Sequence, residues 1–105
     1  MVKVNDTMLI DNYLFIPEVV RYDKDLTANE KLLYGEIARL STESGYCNAS
    51  NNQLASLFNV TRTAVTRWIR GLEDKKYIGR EILYRPGTKE IEERRIYLLE
   101  IGGDS

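Results

Sequence analysis

Asn52-Gln53-Leu54-Ala55-Ser56-Leu57-Phe58-Asn59-Val60-Thr61-Arg62-Thr63-Ala64-Val65-Thr66-Arg67-Trp68-Ile69 is the stretch on which the fold turns. Ser50 precedes it by two positions and stands three before Gln53, the spacing of a capping box, so a helix opens there and runs through Leu54, Ala55, Leu57 and Phe58. Asn59 follows, one of the few residue types that tolerates the left-handed backbone of a tight turn. Thr61 then caps a second helix expected to reach about Lys76, with Val65, Trp68, Ile69 and Leu72 on one face. Ala55 is small enough for the second helix to cross close to the first, and Val60, Val65 and Trp68 or Ile69 would lock the pair together. Two helices in that relation predict a helix-turn-helix.

Upstream, Thr27-Ala28-Asn29-Glu30 is another capping box, and Leu33, Ile37 and Leu40 recur behind it at helical spacing, flanked by Leu32 and Tyr34. Pro17 suits the first position of a short helical turn through Val20, and Tyr46, Cys47 and Asn48 read as a very short strand. Downstream of Tyr77 and Ile78 the pattern alternates. Arg80, Ile82 and Tyr84 share one side of a strand, and Pro86-Gly87 forms a type II turn. A return strand over Ile91–Ile101 closes a hairpin. The expected fold is therefore α+β and mainly helical. It is a winged helix-turn-helix of three helices and a C-terminal hairpin wing, occupying residues 17–101. Residues 1–16 form an N-terminal arm, extended over Met8–Ile16 behind a mobile leader, and 102–105 form a tail or the start of a linker.

The 105 residues suit one domain, and 43% hydrophobic with 30% charged residues is the composition of an ordinary globular chain. No apolar run is long enough for a membrane span, and no signal peptide precedes the domain. Cys47 is the sole cysteine and there is no histidine, which excludes an intramolecular disulfide, a Cys/His metal site and a Cys-His nucleophile. These features favour a cytoplasmic protein without metal, cofactor or catalytic residues. The net charge of −1 hides a polarity. Residues 1–60 carry five basic against eight acidic groups, whereas 61–85 carry seven basic against three acidic ones. The basic part coincides with the second helix of the motif, where a nucleic acid would be read.

On that helix Thr63, Thr66, Arg67 and Arg70 project away from the apolar face, with Arg62 at the exposed start. Guanidinium groups pair with guanine and threonine methyls meet thymine methyls, so Arg62, Thr63, Thr66 and Arg67 are the expected readers of base edges in double-stranded DNA. Arg70 and Lys75 are placed for phosphates, as are Ser50 and Asn51 at the start of the preceding helix. The tip of the wing offers Arg85 and Lys89, against which stand the acids Glu90, Glu92 and Glu93. The other reading of the hairpin is that it only closes the core. Arg94 and Arg95 are expected to pair across the hairpin with Glu81 or with those acids. Cys47, Trp68 and the tyrosines read as core, Asp23 and Asp25 lack a recognisable pocket, and no phosphate-binding loop motif is present.

Four segments together resemble a known family: Leu26-Thr27-Ala28-Asn29-Glu30-Lys31-Leu32-Leu33-Tyr34, Asn48-Ala49-Ser50-Asn51-Asn52-Gln53-Leu54-Ala55, Val60-Thr61-Arg62-Thr63-Ala64-Val65, and Leu72-Glu73-Asp74-Lys75-Lys76-Tyr77-Ile78. They are similar to the N-terminal winged-helix domains of phage and plasmid replication proteins, among them replisome organisers and DnaD-like initiators. The resemblance spans about residues 12–99 and implies binding to origin DNA, with other replication proteins as further partners and additional functions in a C-terminal region outside these residues. Gln53 to Val65 also resembles the winged helices of GntR-like and MarR-like transcription regulators. Tyr13-Leu14-Phe15-Ile16-Pro17, leading into Leu26, favours the replication proteins. A winged helix serving only protein–protein assembly is the alternative of a different class, and an uncharacterised enzyme is the least supported. Because one winged helix reads only a few base pairs, a homodimer is expected, with the N-terminal arm as its interface or, alternatively, folded onto its own first helix.

Overall fold

A computed structural model describes residues 13–101. The leader, the arm up to Asn12 and the tail from Gly102 lie outside the described residues. The elements in chain order are α1 (Glu18–Arg21), α2 (Ala28–Leu40), α3 (Asn51–Phe58), α4 (Arg62–Asp74), β1 (Ile78–Tyr84) and β2 (Ile91–Leu98). This is the expected winged helix-turn-helix, an α+β fold with one additional helical turn, α1. Among the described residues no helix is long and apolar enough to cross a membrane.

Each long helix starts where a side chain satisfies the orphaned amides of its first turn. Thr27 Oγ1 accepts from the Glu30 amide at 3.2 Å while the Glu30 carboxylate accepts from the Thr27 amide at 2.7 Å. Ser50 and Gln53 make the same reciprocal pair at 3.1 and 2.8 Å, and Thr61 accepts from the Ala64 amide at 3.1 Å. Pro17 caps the short α1 rather than occupying its first helical position.

The core is one contiguous cluster. Leu33, Tyr34 and Ile37 of α2, Leu54 and Ala55 of α3, and Val65, Trp68, Ile69 and Leu72 of α4 meet between the helices. Val20, Leu26, Cys47, Tyr77, Ile78 and Ile96 close the cluster. Cys47 is a fully buried small side chain whose thiol is pushed up by burial. The short strand expected at 46–48 is reduced to a single bridge, Cys47 to Ile96, with hydrogen bonds of 2.9 and 2.8 Å. Trp68 meets Phe58 edge to face at 6.2 Å, a core contact and not a stacking platform.

Two glycines mark close approaches. A Cβ on Gly35 would lie 3.1 Å from Leu14 and Ile16, so the described end of the arm lies against its own α2. A Cβ on Gly71 would overlap the Glu30 carboxylate at 1.8 Å, so the bare backbone of α4 accommodates the capping box of α2.

Helix α4 ends two residues earlier than its sequence suggests. Lys75 is the C-cap and Lys76 takes the left-handed conformation, φ 62°, while the Tyr77 amide donates to the Leu72 carbonyl at 3.0 Å. Burial of Tyr77 and Ile78 requires the chain to reverse there, and that requirement outweighs the roughly 1–2 kcal/mol disfavouring a non-glycine residue in this region. The hairpin pairs Ile78 with Leu98 through Leu83 with Glu93, then shifts by one residue so that Tyr84 faces Ile91. Gly87 at φ 74° and a 3.0 Å bond from the Thr88 amide to the Arg85 carbonyl form the expected turn. The second strand stops at Leu98 rather than Ile101; one further bond in the same register, from the Leu99 amide to the Tyr77 carbonyl at 3.0 Å, is the last before the first strand gives way to the reversal at Lys76.

A polar cluster fastens the segment before α2 to the α4–β1 junction. The Tyr77 hydroxyl donates to Asp23, the Asp25 amide donates to Asp23 at 2.8 Å, and Lys75 Nζ lies 3.1 Å from Asp23 and 3.0 Å from Asp25. The Tyr77 hydrogen bond first, then the Asp25 amide and Lys75, hold the Asp23 carboxyl at about 2, below its ordinary 3.8. A carboxyl depressed in the folded state stabilises the fold above its unfolded value and loses that contribution as pH falls through the folded one. Stability should therefore drop between about pH 4 and pH 2, and Asp23→Asn should flatten that part of the profile. Urea midpoints across this range test it; an unchanged slope in the variant would remove Asp23 as the cause.

Candidate nucleic-acid interface

The outer face of α4 follows from its inner one. With Val65, Trp68, Ile69 and Leu72 buried, a turn of about 100° per residue leaves Arg62, Thr63, Thr66, Arg67 and Arg70 outward, and all five are exposed. Among the described residues Arg62, Arg67 and Arg70 form no ion pair. Three guanidinium groups thus stand on one helix face with no ion-pair partner among the described residues.

The turn that sets this helix against α3 is built on Asn59, which adopts φ 56° and ψ 47°. Its amide donates to the Ser56 carbonyl at 3.2 Å, and the Val60 amide donates to the Ala55 carbonyl at 3.0 Å. These bonds satisfy the last carbonyls of α3 and redirect the chain within three residues. Ala55, buried beneath the crossing, lets the two helices close.

The other expected contacts separate into two groups. Arg85 and Lys89 are exposed at the tip of the wing, where Arg85 has only a loose, solvated approach of 3.7 Å to Glu90. Lys75, Ser50, Asn51 and the hydroxyl of Thr66 are occupied within the fold. Lys75 belongs to the Asp23 cluster and Ser50 is committed to its capping box. Asn51 Nδ2 donates to Thr66 Oγ1 at 3.0 Å, and the Thr66 hydroxyl donates to the Arg62 carbonyl at 3.0 Å. Lys75 sits at the C-terminal end of α4, and its ammonium is held by two carboxylates instead of facing outward with the arginines.

Between the start of α4 and the wing runs an open cleft lined by Ser50, Asn51, Arg62, Arg80, Ile82 and Arg94, with the acids Glu92 and Glu93 also in its lining. Arg80 is paired with Glu73 at 2.7 Å. Arg95 pairs with Glu93 on its own strand at 3.1 Å and lies over the Tyr46 ring, 4.3 Å from its centre. Arg94 makes no cross-hairpin ion pair. Its guanidinium donates to Asn51 Oδ1 at 2.6 Å and to the Ala49 carbonyl, and burial pulls its pKa down. A signal for this was present in the sequence. Arg94 lies two residues before the buried Ile96, and residues two apart on a strand share a face.

Residues 24–78 match the sequence profile of a family described as a helix-turn-helix domain, slightly more than half of the chain. The chain belongs to that family. The matched span of this helix-turn-helix domain contains α2, α3, the Asn59 turn and α4, and ends at the first residue of β1. A solved structure described as the N-terminal domain of a DNA binding protein is similar in fold, with a TM-score of 0.64 and 19% sequence identity. It covers 95% of this chain and 84% of that one. No curated protein matches in sequence.

The left-handed turn gives a direct check on the geometry. Asn59→Ala should destabilise the domain by about 1 kcal/mol, since alanine has no local hydrogen bond to offset the steric cost, whereas Asn59→Gly should be close to neutral. Equal urea midpoints for the two variants would contradict this account of the turn.

Proposed function

We propose that this helix-turn-helix domain binds double-stranded DNA with α4 in the major groove. Arg62, Thr63 and Arg67 face base edges, Arg70 faces phosphate, and the wing residues Arg85 and Lys89 reach the flanking backbone. The observation that carries the reading is the row of unpaired arginines on a helix whose opposite face is fully committed to the core. The rise of α4 at the surface, the short threonines beside long guanidiniums, and the width of the major groove are mutually suited.

Within that reading we place the domain in the initiation of phage or plasmid replication, as the origin-binding part of a replisome-organiser or DnaD-like protein. The four quoted segments support this, together with the arm that leads into α1. Control of transcription is the second use of the same surface. A specific observation favours an assembly role for the wing alone. Tyr84 and Ile91 face each other across the hairpin, 55% and 63% exposed, among Glu90, Glu92 and Glu93, a surface better suited to protein than to phosphate.

A second copy of the chain would place two α4 helices on half-sites about one helical turn apart. Tyr13 and Phe15, 50% and 66% exposed, flank a small apolar hollow with Ala38, Thr42 and the stem of Arg39, and are the arm residues available for such pairing among the described ones. Leu14 and Ile16 are used on the chain's own α2. Phe15→Ser should lower the dimer fraction in sedimentation without loss of helix content; a wild-type chain that sediments only as monomer would end this part of the proposal.

DNA binding itself is tested by fluorescence anisotropy with a labelled random duplex over a salt series. The wild-type chain should bind with a log–log salt slope that falls by roughly one in Arg70→Ala, whereas Arg62→Ala/Arg67→Ala should lower affinity at least about tenfold with a smaller change in slope. Absence of binding by the folded wild-type chain at low salt would refute the reading and direct attention to a protein partner at the wing.

A further inference from the structure

Arg94 is a half-buried charged side chain on the same face of β2 as the buried Ile96, and among the described residues it forms no ion pair. Its two terminal nitrogens are engaged with neutral acceptors, Asn51 Oδ1 and the Ala49 carbonyl, and its Nε is buried without a partner. Burying a cation in this way is costly, and an apolar residue would suit the inward position better, so the guanidinium is doing something that packing does not require. What it touches is the first residue of α3. Asn51 in turn holds the Thr66 hydroxyl of α4, and that hydroxyl is anchored to the Arg62 carbonyl one turn earlier.

We infer that Arg94, Asn51 and Thr66 form a positioning relay through which the wing strand fixes the pose of α4 in DNA, so that Arg94 governs discrimination between sequences without touching the nucleic acid. The inference rests on the DNA-binding reading above. The apolar stripe of α4 fixes how the helix is rotated, because only one face can be buried, but side chains of similar shape allow sliding along that stripe. Directional hydrogen bonds do not. The carboxamide of Asn51 is bound at both ends, its oxygen by Arg94 and its nitrogen by Thr66, which ties β2, α3 and α4 together near the Arg62 end of the proposed interface.

The relay also redefines Thr66. Its single hydroxyl proton goes to the Arg62 carbonyl and one lone pair goes to Asn51, so it has no proton left to donate to a base and keeps one lone pair and its methyl. Asn51 likewise links elements, its oxygen engaged by Arg94 and one of its two N–H donors by Thr66.

The test uses two labelled duplexes: one enriched from a randomised pool by the wild-type chain, and one of scrambled sequence. Arg94→Met keeps the length of the apolar stem and removes the guanidinium. Asn51→Ala removes the middle link and leaves Arg94 its bond to Ala49, so it serves if Arg94→Met does not fold, as judged by a cooperative urea transition. The relay predicts that either variant lowers the enriched-to-scrambled affinity ratio about tenfold or more. Scrambled-duplex affinity should stay within about twofold, and its log–log salt slope should not change. A slope lower by about one, with equal losses on both duplexes, would make Arg94 a phosphate contact and overturn the inference. An unchanged ratio would overturn it as well. Failure of the wild-type chain to bind either duplex would remove the underlying DNA-binding reading, an outcome distinct from both.

Discussion

The rotation of α4 about its own axis is the constraint from which the remaining geometry follows. Val65, Trp68, Ile69 and Leu72 are buried, and each such side chain is worth about 1.5–3 kcal/mol relative to exposure. Rotating the helix by even one residue position would exchange part of that stripe for Thr66, Arg67 or Arg70, whose burial without partners is unfavourable. The core therefore fixes which side chains face outward. The same four residues also decide where neighbouring elements lie: α3 crosses at the small Ala55, α2 brings Glu30 over the bare backbone of Gly71, and β1 departs only after the chain has reversed at Lys76.

What the sequence discloses about this arrangement divides by the range of the interaction. The three caps at Thr27, Ser50 and Thr61, the left-handed Asn59 and the Pro86-Gly87 turn were all legible, because each is settled by atoms within four residues. So was the outward row of arginines, which helical period alone supplies. The exceptions depend on partners distant in sequence. Lys75 stands in a basic segment but meets Asp23 and Asp25, about fifty residues earlier, and Asn51 meets Arg94, more than forty later. Nothing local distinguishes those side chains from free ones. Lys76 is different again: a non-glycine residue in a left-handed cap is unfavourable by itself, and the burial of Leu72 and Tyr77 on either side of it overrides the local preference.

The electrostatics are reshaped by the same long-range contacts. Seven basic residues lie between positions 61 and 85, yet Lys75 and Arg80 are neutralised by acids in the fold and Arg85 stands near Glu90. The positive surface contracts to Arg62, Arg67 and Arg70 on one helix face, with Lys76 beyond its end. A net charge of −1 is compatible with such a face, because at physiological salt exposed charges are screened beyond about 8 Å and a bound duplex would sense the local row more than the sum.

A narrow basic face beside an acidic wing has a consequence for how selectivity would arise. Phosphate attraction is indifferent to sequence, and a domain rich in it binds any duplex. Here Glu92 lines the same cleft as Arg62, with Glu93 beside it already paired to Arg95, so backbone phosphates entering from the wing side meet an acid as well as the arginines. On the DNA-binding reading, little of the affinity can come from general charge, and more must come from α4 lying at the right depth and register against base edges. That dependence gives the placement of α4 its weight. A domain held to DNA by many phosphates tolerates a helix that slides; one that relies on Arg62, Thr63 and Arg67 does not, and the half-buried guanidinium on β2, with its unpartnered Nε, is then a cost with a corresponding return in precision.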